Sequence, residues 1–309
     1  MTKNRKFNKV AFLYGGVSSE REVSLLSAKR IEQSLIDLGY QVKSIDFNFD
    51  TICQLKRTDI DVVFNGLYGK YCEDGRLQGA LDLIQIPYTH SGAAASAVAM
   101  NKVIAHNLVK PFEILTPKFS LLFKGEKQKN QETIKQFGKN YVIKPINEGS
   151  SVGVQIFLDN NFNIDQFQWN YGDVMMIEQY IKGREIQVVV MDNKALGIME
   201  VVPKGLFYDY NAKYNPNSGT KYILDPKIDE KTKKDLLDTA LKAYRAMNCR
   251  AINRVEFILD DNNQCYFLEA NTQPGLTPTS IVPKIAKHYH NIEFNDIIEY
   301  LVSSATFDK

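Results

Sequence analysis

Cysteine is scarce in this chain of 309 residues: Cys53, Cys72, Cys249 and Cys265 are the only four, and none lies at CxxC spacing. A disulfide framework and a cysteine-built zinc site are therefore excluded, and the pattern reads as reduced thiols in the cytosol. Histidine is equally sparse. His90, His106, His288 and His290 include one close pair, His288-x-His290, with no third ligand nearby, which reads as a solvated helix rather than a metal site. No window reaches eighteen apolar residues, and the first apolar run, Val10 to Tyr14, is too short for a signal h-region or a membrane span. An excess of charge is missing too: 38 basic and 36 acidic side chains leave +2. That balance supplies none of the attraction that nucleic acid or an anionic membrane surface requires. What remains is ordinary globular composition, 44% hydrophobic and 24% charged. At roughly 150 residues per domain it implies about two domains with a core that needs no staples.

The apolar run Val10-Ala-Phe-Leu-Tyr14 ends in Gly15-Gly16 and reads as a buried parallel strand opening into a tight turn. A helix follows, with Ser19-x-x-Glu22 as capping box, Val23, Leu26, Ile31, Leu35 and Leu38 on one stripe, and Gly39 as its stop. Runs at 42–45 and 60–64, a helix at 77–83 and a strand at 86–88 continue the alternation, so residues 1 to about 90 read as a doubly wound α/β unit. A single helix is expected over Ala93 to Val109. The pattern then turns to α+β, with strands expected near 119–123, 141–144, 154–158, 174–181, 185–191 and 196–202. A polar, Tyr-rich stretch, Pro203 to Thr220, has no apolar period, and such a long loop reads as a lid. A long helix within 229–247, two strands, and helices beginning near Ser280 and Asn295 complete the chain.

Chemistry concentrates in a few places. Two alternating runs flank Asp260-Asp-Asn-Asn263 and propose an antiparallel hairpin in which Arg254 pairs with Glu269. Arg254, Glu256, Glu269 and Asn271 then share one face, while Val255, Phe257, Leu259, Tyr266, Leu268 and Ala270 share the other. Two carboxylates and an amide oxygen suit Mg²⁺ on nucleotide phosphates, with an arginine to neutralise charge during phosphoryl transfer. Taken alone, the hairpin is equally a half-exposed sheet carrying a salt bridge. Lys144-Pro-Ile-Asn-Glu-Gly-Ser-Ser-Val-Gly153 places a lysine at a strand end before a loop of N–H groups and hydroxyls fit for phosphate. GxxxxGK[ST] is absent and a strand follows the loop, so a P-loop is a poor fit. By itself the loop is also a plain Gly-Ser hairpin connection. Gly15 to Glu22, Glu73-Asp-Gly75 and Asn271-Thr-Gln-Pro-Gly275 lie where ligands bind in open α/β sheets, yet each is accounted for by helix-dipole or turn chemistry alone.

Taken in order, GGVSSEREVS, EDGRLQG, VIKPINEGSSVG, FYDYNAKY, NRVEFILD and LEANTQPGLTPTSIVP resemble the D-alanine–D-alanine ligases of the ATP-grasp superfamily across nearly the whole chain. The resemblance implies an α/β and α+β architecture: an ATP-grasp fold behind an N-terminal open parallel α/β (preATP-grasp) domain. It divides the chain at 1–92, 93–183 and 184–309, with a lid at about 203–220. It also implies a cytoplasmic homodimer that joins two D-alanines through an acylphosphate, with ATP as co-substrate, for peptidoglycan precursor synthesis.

By the same resemblance Lys102, Lys144 and Lys213 hold phosphates, and the loop Glu148, Ser150, Ser151, Val152 closes over them. Glu178 with Gln179, Tyr180 and Ile181 meets adenine, and Glu185 takes the ribose. Glu256, Glu269 and Asn271 bind two Mg²⁺, with Mn²⁺ as a substitute. Glu20 holds the first ammonium, and Ser280 and the Ile281 N–H hold the second carboxylate. Arg254 and the Gly275 N–H steady the tetrahedral intermediate, and Tyr214 links to Ser150 and Glu20. The chain departs from the family at Leu67-Tyr68-Gly69, where a histidine is common, and at Tyr71-Cys72, where a glycine is common. Glu256 also stands for an aspartate and Gln179 for a lysine. D-lactate or D-serine as second substrate, and a regulatory nucleotide binder without turnover, are the competing readings.

Overall fold

The computed structural model describes residues 5–56, 59–159, 164, 167–215 and 217–308; the Tyr214 side chain lies outside the described part. β1 (Lys9–Tyr14) is central in a parallel sheet of order β2-β1-β3, with β2 at Gln41–Asp46 and β3 at Val62–Asn65. Val10, Ala11, Phe12 and Leu13 are completely buried, as expected of a parallel strand covered on both faces. The unit also holds α1 (Arg21–Asp37), α2 (Thr51–Leu55), which the sequence pattern did not announce, and α3 (Arg76–Leu83). The expected capping box does not form. α1 starts behind Glu20 with no side-chain cap, because the Glu20 carboxylate is turned to the Ser150 hydroxyl and its N–H donates to Ser18 Oγ at 3.1 Å. Leu26 leaves the expected stripe and is exposed, while Val23, Ile31 and Leu35 face the sheet. The expected strand at 86–88 reduces to a bridge from Tyr88 to Val63, with a second from Tyr88 to Thr306.

The helix expected over 93–109 is two helices, α4 (Ala93–Met100) and α5 (Lys102–Val109). Asn101 breaks it: its backbone is extended and its side chain accepts the Ile104 N–H at 3.0 Å, so it caps α5. β4 (Phe119–Phe123), α6 (Lys127–Lys135), β5 (Tyr141–Pro145), β6 (Gln155–Phe157) and β7 (Val174–Gln179) follow, and the strands form an antiparallel sheet of order β4-β7-β5-β6. A second antiparallel sheet, β10-β9-β8-β11-β12, is built from β8 (Gly183–Met191), β9 (Lys194–Val202), β10 (Lys221–Leu224), β11 (Ile252–Asp260) and β12 (Cys265–Asn271). Within the Tyr-rich stretch, α7 (Tyr210–Tyr214) is a short helix capped by Asp209. α8 (Glu230–Ala246), α9 (Ile281–His290) and α10 (Phe294–Ser303) complete the fold.

Chain order and packing part company twice. α4 and α5 share a core with β8, β11 and α8, through Ala95, Ala99, Ala105 and Val109 against Val188, Val255 and Leu236. Ile297, Ile298 and Leu301 of α10 share one with Phe12, Ile31 and Phe64 of the first unit. His288 and His290 tie α9 to the rest of the fold, reaching Asp225 Oδ2 at 2.5 Å and the Leu196 carbonyl at 2.7 Å.

Gly75 caps α3 at φ +88°, and a Cβ there would collide with the Ala93 carbonyl oxygen. Gly75→Ala is expected to destabilise the protein by about 2 kcal/mol, from left-handed strain together with the clash. A lowered urea midpoint at unchanged slope would show it.

Candidate active site

The β11–β12 hairpin sets the polar face of the site. Its ladder pairs Arg254 with Asn271 and Glu256 with Glu269, two residues from the expected Arg254–Glu269 pairing. A two-residue offset preserves side-chain parity, so the four polar groups still share a face. Beyond Glu256 the register shifts, Phe257 pairs with Phe267, and Leu268 becomes the extra residue of a β-bulge. The bulge overturns part of the expected core: Phe267 is the buried residue, while Leu268 turns to a cleft on the opposite face.

Two adjoining cavities meet above this face. The first is walled by Glu20, Ser150, Arg254, Asn271, Gly275, Ser280 and Ile281. The second lies between the two antiparallel sheets and is walled by Lys144, Ser151, Val152, Glu178, Gln179, Tyr180, Ile181, Glu185 and Glu256. Lys102, Glu148, Tyr208, Lys213 and Glu269 line both and form the partition. Every residue given a site role by the family resemblance thus reaches a cavity wall except Tyr214, whose side chain lies outside the described residues.

Side chains without a role in the sequence reading join them. Glu73, buried, and Tyr68 line the first cavity, and Tyr208 lines both. Glu-Asp-Gly after a buried strand was the available signal for Glu73. Leu268 had none, because nothing in Cys265-Tyr-Phe-Leu-Glu269 marks a bulge.

Ion pairs fix the cations. Lys144 Nζ lies 2.6 Å from Glu178 Oε1, both groups buried, and Glu178 Oε2 has no partner among the described residues. Lys102 Nζ donates to the Glu148 carbonyl at 2.7 Å and lies 3.3 Å from Glu269 Oε2. Arg254 Nη2 donates to Glu256 Oε1, and Arg254 Nε is buried without a partner among the described residues. Asn65 and Gln273 clamp the first unit to the loop before Gly275, with Asn65 Nδ2 donating to Gln273 Oε1 at 2.7 Å. Tyr68 OH accepts the Leu276 N–H at 3.1 Å beside that glycine. The lid is tied down where Ser151 Oγ donates to the Tyr208 carbonyl at 2.8 Å.

Burial alone would raise the Glu269 carboxyl, yet Lys102, Lys213, Lys144 and Arg254 together hold it down at about 2. Burial raises Glu20 despite its Ser150 partner and Lys213, and pushes Glu73 well up, with the nearby Glu20 adding to it. Glu185 is pushed up to about 8 by burial and then by the charge of Glu256. A carboxyl raised in the folded state contributes stability that is complete below its unfolded value near 4.5 and is lost as pH rises through about 8. Glu185→Gln should therefore gain on the parent in melting temperature between pH 5 and pH 8.5, and a pH-independent difference would contradict this cause.

Among the described residues no group of three or more His, Cys, Asp or Glu is arranged to hold a metal by itself. Glu256, Glu269 and Asn271 offer two carboxylates and one amide oxygen on neighbouring rungs. That donor set suits Mg²⁺ when substrate phosphates complete its oxygen shell.

The chain matches the family model described as D-ala D-ala ligase C-terminus over residues 108–303. It is 42% identical over 302 residues to a D-alanine–D-alanine ligase of Rickettsia massiliae, covering 97% of this chain and 92% of the relative. It is 43% identical to that of Rickettsia bellii, with the same coverage. A crystal structure of D-alanine–D-alanine ligase from Bacillus anthracis superposes with a TM-score of 0.84 at 32% identity over 96% of both chains. The same protein complexed with ATP superposes at 0.82, covering 97% of this chain and 96% of that one. With this sequence identity, this architecture and these two cavities, the chain belongs to the D-alanine–D-alanine ligase family and has its ATP-grasp fold.

Proposed function

We propose that this chain is an ADP-forming carboxylate–amine ligase that joins two D-alanines to D-alanyl-D-alanine for peptidoglycan precursor synthesis. The observation that carries the reading is the partition: Lys102, Lys213 and Glu269 face both a cleft between two sheets and a smaller polar cavity. A phosphoryl group held there is within reach of a nucleotide on one side and a carboxylate on the other.

In this reading Val142, Ile156, Ile258 and Leu268 give the cleft its apolar walls, Glu178 Oε2 and the backbone at Gln179 to Ile181 meet adenine, and Glu185 accepts the ribose hydroxyls. Lys144, Lys102 and the loop from Glu148 to Val152 hold the phosphates. Bound at Glu256, Glu269 and Asn271, two Mg²⁺ would neutralise phosphate charge. Glu20 fixes the ammonium of the first D-alanine. The carboxylate oxygen of that D-alanine takes the γ-phosphoryl group, and ADP leaves. The second D-alanine, its carboxylate held by Ser280 and the Ile281 N–H, attacks the carbonyl carbon with its amine, and phosphate departs, taking up the proton the amine gives up. Arg254 and the Gly275 N–H face the negative charge that builds on the carbonyl oxygen. Tyr68, pushed up to about 12 by burial, stays protonated at neutral pH and does not carry that proton. The Tyr-rich lid excludes water from the acylphosphate, and Tyr214 is assigned to it by resemblance.

The division 1–92, 93–183 and 184–309, a homodimer and a cytoplasmic location belong to the same proposal. Among the described residues no helix is long and apolar enough to cross a membrane. The test is ADP release with ATP and Mg²⁺, comparing D-alanine, L-alanine, and D-alanine with D-lactate or D-serine, with products identified by mass. Dipeptide from D-alanine alone supports the reading; faster mixed product moves it to another acceptor, and ATP binding without turnover moves it to a regulatory protein. Mass in solution tests the dimer.

A further inference from the structure

One buried histidine stands behind the nucleotide cleft and has no part in the scheme above. His106 is fully buried on α5, one helical turn after Lys102. Its Nε2 lies 2.8 Å from the carbonyl oxygen of Leu268, the extra residue of the β-bulge. A carbonyl only accepts, so Nε2 carries the proton. Nδ1 has no partner among the described residues, and the ring is wedged edge-on between Phe119 and Phe267, with centroids at 5.5 and 5.7 Å. Burial holds the imidazole neutral, with its pKa down at about 4, and the neighbouring Lys144 adds to this.

β12 is the edge strand of its sheet, so its outer carbonyls have no further strand to pair with. The bulge makes this acute, because a bulged residue leaves the ladder. Two bonds from outside the sheet hold it: Phe267 N donates to the Leu115 carbonyl at 2.8 Å, and His106 donates to Leu268. The result is local and directional. Phe267 goes into the core, Leu268 into the cleft, and Glu269 onto Lys102.

We propose that His106 is a positioning residue for the nucleotide and metal site: as the Nε2–H tautomer it clamps the Leu268 carbonyl and so fixes where Leu268 and Glu269 point. Lys102 and His106 then act from one helix on two consecutive residues of β12, one through the Glu269 carboxylate and one through the Leu268 backbone. The inference rests on the ATP-dependent reading of the cleft.

The experiment compares the full-length protein with His106→Phe, which keeps the ring and removes the donor, and His106→Gln, which returns an N–H at similar reach. Calorimetry measures ATP binding with and without Mg²⁺, alongside the KM for D-alanine. His106→Phe is expected to weaken Mg²⁺-dependent ATP binding by roughly 10-fold, and His106→Gln to recover to within about threefold of the parent. The KM for D-alanine should stay within about twofold, a split that general loss of stability does not produce. Equal Mg²⁺–ATP affinity in the parent and His106→Phe overturns the inference alone. A parent that binds no ATP removes the functional reading and the inference with it. If His106→Phe does not fold, long-range ¹H–¹⁵N spectra of the parent decide: a neutral Nε2–H ring supports the clamp, and a protonated or Nδ1–H ring overturns it.

Discussion

Arg254→Met is expected to lower turnover by about 10²–10³-fold while ATP binding stays within a few-fold of the parent, because the guanidinium faces charge that develops only during acyl transfer. Arg254 lies on the wall of the smaller cavity and not of the nucleotide cleft. One arm is committed to Glu256, and Nε is buried without a partner among the described residues. A buried donor left unpaired costs free energy unless a ligand takes it, and the tetrahedral oxyanion is the natural acceptor. Single-turnover dipeptide formation and calorimetric ATP binding separate the two effects. The variant also strands the Glu256 carboxylate, so a lower melting temperature should accompany the kinetic loss. Turnover within threefold of the parent would remove Arg254 from the reaction.

Glu269→Gln is expected to be comparably severe for a different reason, with a loss of about 10²-fold or more in turnover and a steep rise in the Mg²⁺ concentration required. Lys102, Lys213, Lys144 and Arg254 all converge on this carboxylate, which is why it stays ionised down to a pKa of about 2. A depressed carboxyl contributes stability that is present above its unfolded value near 4.5 and is lost as pH falls through the folded one. The amide keeps the shape and removes the charge, leaving four cations with less to face. Metal-free ATP, itself an anion, should then bind as well as before or better, while the metal-dependent increment disappears. An unchanged Mg²⁺ requirement would rule out Glu269 as a ligand.

The shared polar face was legible because alternation with period two is a robust signal: Arg254, Glu256, Glu269 and Asn271 stay together under any register offset of two. The next turn of the same hairpin was not. A one-residue bulge exchanges faces without a glycine or a change of polarity to announce it, so Leu268 was placed in the core that Phe267 occupies. β1 was readable for a different reason, an unbroken apolar run buried on both faces. The capping box Ser19-x-x-Glu22 was readable and still wrong, since the helix starts one residue later, behind Glu20, whose carboxylate is taken by a serine 130 residues distant. Asn101 carried a usable sign, a capping residue before Lys102, that the apolar content of 93–109 masked. Glu73 and Tyr68 stayed without roles because their position depends on how loops of the first unit approach the last, which local pattern does not encode.

The nucleotide cleft is lined, among the described residues, only from position 102 onward, whereas the smaller cavity borrows Glu20, Tyr68 and Glu73 from the loops of the first unit. In the proposed scheme, amino-acid choice and nucleotide handling would therefore draw largely on different stretches of the chain. In the proposed scheme, drift in those loops would reshape the choice of amino acid and reach the nucleotide side only through the Glu20–Ser150 contact. A chimera exchanging only the segments around residues 15–20 and 67–75 is the smallest change that tests how far these loops set amino-acid choice.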